Sequence, residues 1–80
     1  RNARHQRQKP LRNKIAEVEK KTEALEREKG SLEDAMYDPE YYSDAERVKT
    51  NAERLGVIKK TLEDLFYTWS ELNEELERTA

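Results

Sequence analysis

The sequence contains no cysteine, which excludes a disulfide framework and any thiolate metal site. Its one histidine, His5, lies in a polar run with no second ligand nearby, so neither a metal site nor a Ser-His-Asp constellation is expected. The two glycines are isolated, so the phosphate-cradling loops GxxxxGK[ST] and GxGxxG are missing. We therefore expect no catalytic, cofactor-binding or metal-binding residue, and we expect that this chain is not an enzyme.

Long apolar runs are also missing. No stretch approaches the roughly 20 apolar residues needed to cross a membrane, and nothing at the start reads as a signal peptide, so a cytoplasmic setting is expected. The chain begins with Arg1 rather than methionine, and we interpret it as part of a longer protein. With 34% hydrophobic and 42% charged residues it cannot bury a large core, and this composition is typical of a coiled coil.

Apolar residues recur at alternating spacings of three and four in two stretches, which predicts two amphipathic helices. The first seam consists of Leu11, Ile15, Val18, Thr22, Leu25, Lys29, Leu32 and Met36. The second consists of Tyr41, Ala45, Val48, Ala52, Leu55, Lys59, Leu62, Phe66, Trp69, Asn73 and Leu76, and it is widened on one side by Ile58, Leu65 and Leu72. This pattern places Phe66 and Trp69 in the core rather than on a base-stacking surface.

Finer features of the helices also follow from the sequence. Small Ala45 and Ala52 predict a close approach of the helices near the bend, and Gly56 costs about 1 kcal/mol relative to alanine but leaves room for a tight contact. Opposite charges four residues apart, Glu17 with Lys21 and Glu23 with Arg27, are expected to support the first helix.

The segment from Tyr37 to Tyr42 is predicted to reverse the chain. Pro39 has no backbone N–H and disfavours helical geometry in the residue before it. Ser43 or Asp44 is then expected to cap the second helix, with Glu46 completing a capping box after Ser43. The tyrosines at positions 37, 41 and 42 are interpreted as structural plugs for the end of the hairpin. The alternative is a ligand or partner site at the tip.

The predicted fold is all-α, a two-helix antiparallel coiled-coil hairpin. Residues 1–10 form a basic arm or linker, which is either disordered or a helical extension ordered by contact with a partner. Residues 11–80 form the hairpin with its bend at 37–43, and Pro10 is tolerated where the regular helix pattern starts. Folding at the bend predicts four facing pairs, which are Met36 with Tyr41, Leu25 with Ala52, Ile15 with Leu62, and Leu11 with Phe66.

Charge is distributed unevenly along the chain. Residues 1–14 carry six basic residues and no acid, although the whole chain has a net charge of −2. A basic arm beside a structured element is a common footprint of nucleic-acid binding. The alternative is a solvated linker that pairs with the acidic end of the second helix. Charge alone selects the candidate nucleic-acid-binding residues, which are Arg4, Arg7, Lys9, Arg12, Lys14, Lys20, Lys21, Lys59 and Lys60.

Three short motifs occur in a characteristic order. Lys9-Pro10-Leu11-Arg12-Asn13-Lys14-Ile15 opens the first helix, Tyr37-Asp38-Pro39-Glu40-Tyr41-Tyr42 forms the bend, and Leu65-Phe66-Tyr67-Thr68-Trp69-Ser70-Glu71-Leu72 lies in the return helix. The combination resembles the C-terminal coiled-coil domain of ABC-F ATPases, especially the Uup and YheS-like branches. The resemblance covers nearly the whole chain.

The resemblance implies a cytoplasmic parent protein with two tandem ATP-binding cassettes that uses ATP and Mg²⁺, whereas this fragment holds no cofactor. It also implies an accessory arm that binds DNA or ribosomal RNA, in a family of which many members act on ribosomes. We expect the fragment to be monomeric, with nucleic acid as its partner and no membrane contact. The alternatives are a protein-interaction or self-association coiled coil and a passive spacer.

Overall fold

The computed structural model describes residues 2–79 of the chain. Helix α1 (Asn2–Ala35) and helix α2 (Ala45–Arg78) pack side by side in opposite directions, and a short 3-10 helix (Tyr41–Ser43) lies between them. The hairpin measures 61 × 15 × 14 Å. The predicted all-α antiparallel hairpin is therefore confirmed.

Helix α1 begins at Asn2 and contains Pro10, so the arm is a helical extension and Pro10 lies inside the helix rather than at its start. A proline inside a helix leaves one carbonyl of the preceding turn without its usual N–H partner. Here Arg12 turns back along the helix. Its Nη1 donates to Gln8 Oε1 at 2.9 Å, and its Nη2 donates to the His5 carbonyl oxygen at 3.2 Å. These bonds tie the Arg12 side chain to the turn before Pro10, but neither reaches the Gln6 carbonyl, which is the one that a proline at position 10 leaves without its N–H donor.

The seam predicted for α1 is confirmed, because all eight of its residues are buried or half-buried. The helix continues through Gly30 to Ala35, so the glycine does not end it. The expected charge pairs of α1, Glu17 with Lys21 and Glu23 with Arg27, are not formed among the described residues, where the pair at this spacing is Lys60–Asp64 on α2. Packing of the seam residues therefore stabilises α1 without those charge pairs.

The seam predicted for α2 is only half right. The residues Val48, Leu55, Leu62, Trp69, Asn73 and Leu76 are buried or half-buried as expected. The second line of the seam is instead formed by the residues Asn51, Ile58, Leu65, Leu72 and Thr79. The predicted residues Ala45, Ala52, Lys59 and Phe66 are exposed. The three residues predicted to widen the stripe, Ile58, Leu65 and Leu72, thus belong to the seam itself. Burying isoleucine and leucine removes more apolar surface from water than burying alanine and lysine.

The predicted register is also wrong. It places Glu28 opposite Lys49 and Glu19 opposite Ile58. In the structure Glu28 binds Arg54, and Glu19 Oε2 accepts a hydrogen bond from Trp69 Nε1 at 3.0 Å. Each partner lies further towards the end of α2 than predicted, by more than one helical turn of about 3.6 residues. Helix α1 ends at Ala35 and α2 begins at Ala45, so the bend is centred near residue 40 rather than between residues 38 and 39, and this accounts for part of the shift.

Glu28 and Arg54 form the ion pair that joins the two helices. Arg54 Nε donates to Glu28 Oε2 at 2.6 Å, and Arg54 Nη2 donates to Glu28 Oε1 at 2.7 Å, which is the bidentate geometry of a strong pair. The hydrogen bonds from Arg54 hold the pKa of Glu28 below its ordinary value. The pair therefore favours the folded chain above the ordinary pKa of glutamate, and this contribution is lost as the pH falls through the lowered value.

The bend is built from local hydrogen bonds around Pro39. Tyr41 N donates to the Asp38 carbonyl oxygen at 3.0 Å, which closes a turn with Pro39 at its second position, and Glu40 N donates to Asp38 Oδ1 at 3.0 Å. Asp44 caps α2, because its side chain accepts from Arg47 N at 3.1 Å. The expected capping box from Ser43 does not form.

The three tyrosines of the bend have different environments. Tyr41 is 1% exposed, and Arg47 lies over its ring at 5.1 Å. Tyr42 meets the Tyr41 ring edge-on at 5.0 Å, but it is 65% exposed, and Tyr37 is 87% exposed. The interpretation of the tyrosines as plugs is therefore right for Tyr41 and wrong for the other two.

Gly56 is exposed on α2, and a Cβ atom added there meets nothing within 4 Å, so the glycine is not used for a tight contact. We expect Gly56→Ala to raise the free energy of unfolding by about 1 kcal/mol, because glycine loses more backbone conformational entropy than alanine when it enters a helix. Urea denaturation followed by circular dichroism measures this change. The reverse substitution at exposed Ala52, Ala52→Gly, is the matched control and is expected to lower the free energy by a similar amount. Destabilisation by Gly56→Ala would contradict the open site.

Candidate nucleic-acid interface

The basic arm is the first part of helix α1. Arg4, Arg7, Lys9 and Lys14 are exposed, and Arg12 is half-buried. A helix turns once in about 3.6 residues, so these side chains surround the helix and do not form a single line. For Arg7, Lys9 and Lys14 no ion pair is seen with any other residue in the described part of the chain. Arg1, which belongs to the same run, lies outside the described residues.

Arg12 differs from the other basic residues of the arm. Besides its bonds to Gln8 and the His5 carbonyl, its Nη2 lies 3.1 Å from His5 Nδ1. The guanidinium is thus engaged within the arm, and it has fewer free donors for a ligand than Arg7 or Lys9.

Lysines further along α1 share a shallow surface. Lys14 and Lys20 line the same depression, together with Glu17. Lys21 is exposed on the neighbouring side of the helix. The structure therefore brings Lys14 and Lys20 together, but it places a carboxylate between them.

Lys59 and Lys60 are exposed on α2. Lys60 Nζ binds Asp64 Oδ1 at 3.2 Å, and this hydrogen bond raises the pKa of Lys60, with further attraction from Asp64 and Glu63. The observed register sets both lysines level with the part of α1 between Glu19 and Glu28. By that register they lie nearer to Lys20 and Lys21 than to Lys14.

Sequence reasoning missed a groove between the helices. Phe66, predicted to lie in the core, is 62% exposed and stacks on Trp69, with ring centroids 6.2 Å apart and planes 23° apart. Trp69 is half-buried, and its indole N–H is held by Glu19. A seam through Ile58 and Leu65 places Phe66 outside the core. The sequence pattern therefore contained the information that Phe66 is exposed.

Among the described residues, neither helix contains a segment that is both long enough and apolar enough to span a membrane.

The family model of the ABC transporter C-terminal domain matches residues 7–74, which include the last four residues of the basic arm, the bend and most of α2. No curated protein and no solved structure matches the chain. The matched family is an accessory domain of ABC proteins and differs from the cassette that hydrolyses ATP. Since the match covers most of the sequence and the fold is a two-helix hairpin, the chain belongs to the ABC transporter C-terminal domain family.

Proposed function

We propose that this chain is the accessory nucleic-acid-binding module of a cytoplasmic tandem ABC-F ATPase of the Uup or YheS-like kind, and that it performs no catalysis itself. The observation that carries the proposal is the helical basic arm. Arg7 and Lys9 of the arm and Lys14 just after it are exposed and have no ion-pair partner among the described residues, and no acid precedes Glu17 in the sequence.

The arm recognises the sugar–phosphate backbone of DNA or ribosomal RNA. Arginine and lysine donate to phosphate oxygens, and no motif that reads base edges is visible in the sequence. Because the arm is already helical, less conformational entropy is lost on binding than for a disordered tail. A few phosphate contacts give modest affinity that falls steeply with salt.

The opposite end of the hairpin supports this orientation. The acidic residues around the bend are all exposed, and they are Glu33, Asp34, Asp38, Glu40, Asp44 and Glu46. Phosphate is repelled there. At the other end of this 61 Å molecule the exposed acids of α2, which are Glu71, Glu74, Glu75 and Glu77, form no ion pair with Arg7, Lys9 or Lys14 among the described residues. The uneven charge therefore directs nucleic acid to the arm in spite of the net charge of −2.

The alternative of self-association through Ile58, Leu65 and Leu72 has lost its main support. Ile58 is 0% exposed, and Leu65 and Leu72 are half-buried against α1 within a single hairpin. This stripe is used inside the molecule.

Reversing two charges of the arm tests the proposal. We expect Arg7→Glu/Lys9→Glu to weaken binding to a fluorescent duplex DNA or a structured RNA by about tenfold or more at low salt. The slope of log affinity against log salt should shrink by about 2, because two phosphate contacts are lost. Fluorescence anisotropy measures both quantities.

The matched control is Arg27→Glu/Lys49→Glu, which changes the net charge equally at exposed positions far from the arm. It should leave affinity within about twofold. Equal losses in the two variants, or undiminished binding by the arm variant, would contradict binding through the arm.

A further inference from the structure

The groove between the helices has an aromatic side, which is formed by α2. Its volume is about 560 Å³, and Leu62, Phe66 and Trp69 of α2 line one side of it. An exposed phenylalanine stacked on the only tryptophan of the chain is a large apolar surface for a protein with so small a core. Such a surface, rimmed by polar residues, is typical of an interaction site.

The other side of the groove is acidic. Glu19, Glu23 and Glu26 of α1 line it, and their spacing of four and three places them on one face of the helix. One carboxylate oxygen of Glu19 accepts a hydrogen bond from the indole N–H of Trp69, which holds Glu19 next to the aromatic side of the groove. Glu23 and Glu26 are exposed, and neither makes an ion pair or side-chain hydrogen bond with another described residue.

We propose that this groove binds an arginine-bearing peptide segment of a partner protein. A guanidinium group is planar, so it can stack on the Phe66 or Trp69 ring while its edge donates to the carboxylates of Glu23 and Glu26. A lysine ammonium can meet the carboxylates but cannot stack in the same way. The charge of the rim is complementary to arginine and repels phosphate, so this site is distinct from the basic arm.

Trp69 is a direct reporter for this site, because the chain has no other tryptophan. The 80-residue chain is titrated with a capped peptide of alternating arginine and alanine, and Trp69 fluorescence is recorded. Matched peptides carrying lysine or glutamate in place of arginine serve as comparisons. We expect saturable binding of the arginine peptide, about fivefold or more tighter than the lysine peptide, and no binding of the glutamate peptide.

Variants assign the binding to the groove. Glu23→Gln/Glu26→Gln should weaken binding of the arginine peptide by about tenfold or more. Phe66→Ala should reduce the preference for arginine over lysine. The matched control Glu53→Gln/Glu71→Gln removes two exposed charges of α2 that do not line the groove, and it should leave the affinity within about twofold.

Three outcomes would overturn the proposal. They are equal affinity for the arginine and lysine peptides, an equal loss in the control variant, and no change in Trp69 fluorescence. Sedimentation of the free chain adds a fourth. A concentration-dependent dimer that Glu23→Gln/Glu26→Gln abolishes would assign the groove to a second copy of the chain. None of these outcomes bears on the basic arm, because nucleic-acid binding is measured separately.

Discussion

Replacing Ile58 with alanine is expected to lower the free energy of unfolding by about 2–5 kcal/mol, the range for truncating a buried large aliphatic side chain. Ile58 is 0% exposed and lies between Leu55 and Leu62 in the seam. Small domains are stable by only about 5–15 kcal/mol, so this one change removes a large part of the total. Urea denaturation of the wild type and the variant measures it.

The neighbouring residue supplies the control. Val57 is 54% exposed, and Val57→Ala should change the free energy of unfolding by less than about 0.5 kcal/mol. Phe66→Ala, at a residue first assigned to the core, should cost far less than Ile58→Ala because the ring already faces water. Equal costs for Ile58→Ala and Val57→Ala would refute the seam through Ile58.

Tyr41→Ala is expected to lower the free energy of unfolding by about 3–5 kcal/mol, as for other buried aromatic residues. Tyr41 is the largest fully buried side chain of the bend, and it packs under Arg47 and against Tyr42. Its loss removes the core of the short 3-10 helix that orients α2. Thermal and urea unfolding followed by circular dichroism measure the change.

The other tyrosines of the bend distinguish this explanation from a general effect of aromatic residues. Tyr37→Ala and Tyr42→Ala alter largely exposed rings, and each should cost less than about 1 kcal/mol. If all three substitutions destabilise the chain equally, Tyr41 does not have the special role that its burial implies.

The hairpin could be predicted from the sequence, but the side of α2 that packs could not be read as directly. Val48, Leu55 and Leu62 belong to two possible seams, one completed by Ala52 and Phe66 and the other by residues 51, 58, 65, 72 and 79. Spacing alone does not distinguish them, since both alternate three and four. The apolar area of the completing residues decides, and Ile58 with its leucine neighbours buries more than Ala52 with Lys59.

The candidate site, too, could be predicted only in part from the sequence. Charge was sufficient to locate the basic arm. The sequence left its helical state open because of Pro10, and the structure shows that the helix runs from Asn2 through this proline. The aromatic groove was missed because the wrong seam placed Phe66 in the core. The wrong choice of seam on α2 is therefore the reason that the groove at Phe66 was not predicted.

An NMR titration of the chain with short duplex DNA and with a structured RNA, at low and moderate salt, tests nucleic-acid binding most directly. We predict chemical-shift changes confined to the arm and to Lys14, Lys20 and Lys21, which fade as the salt concentration rises. The tighter ligand then separates a DNA role from a ribosomal one. An absence of shifts with either ligand at low salt, or shifts centred on the acidic bend, would contradict a nucleic-acid-binding arm.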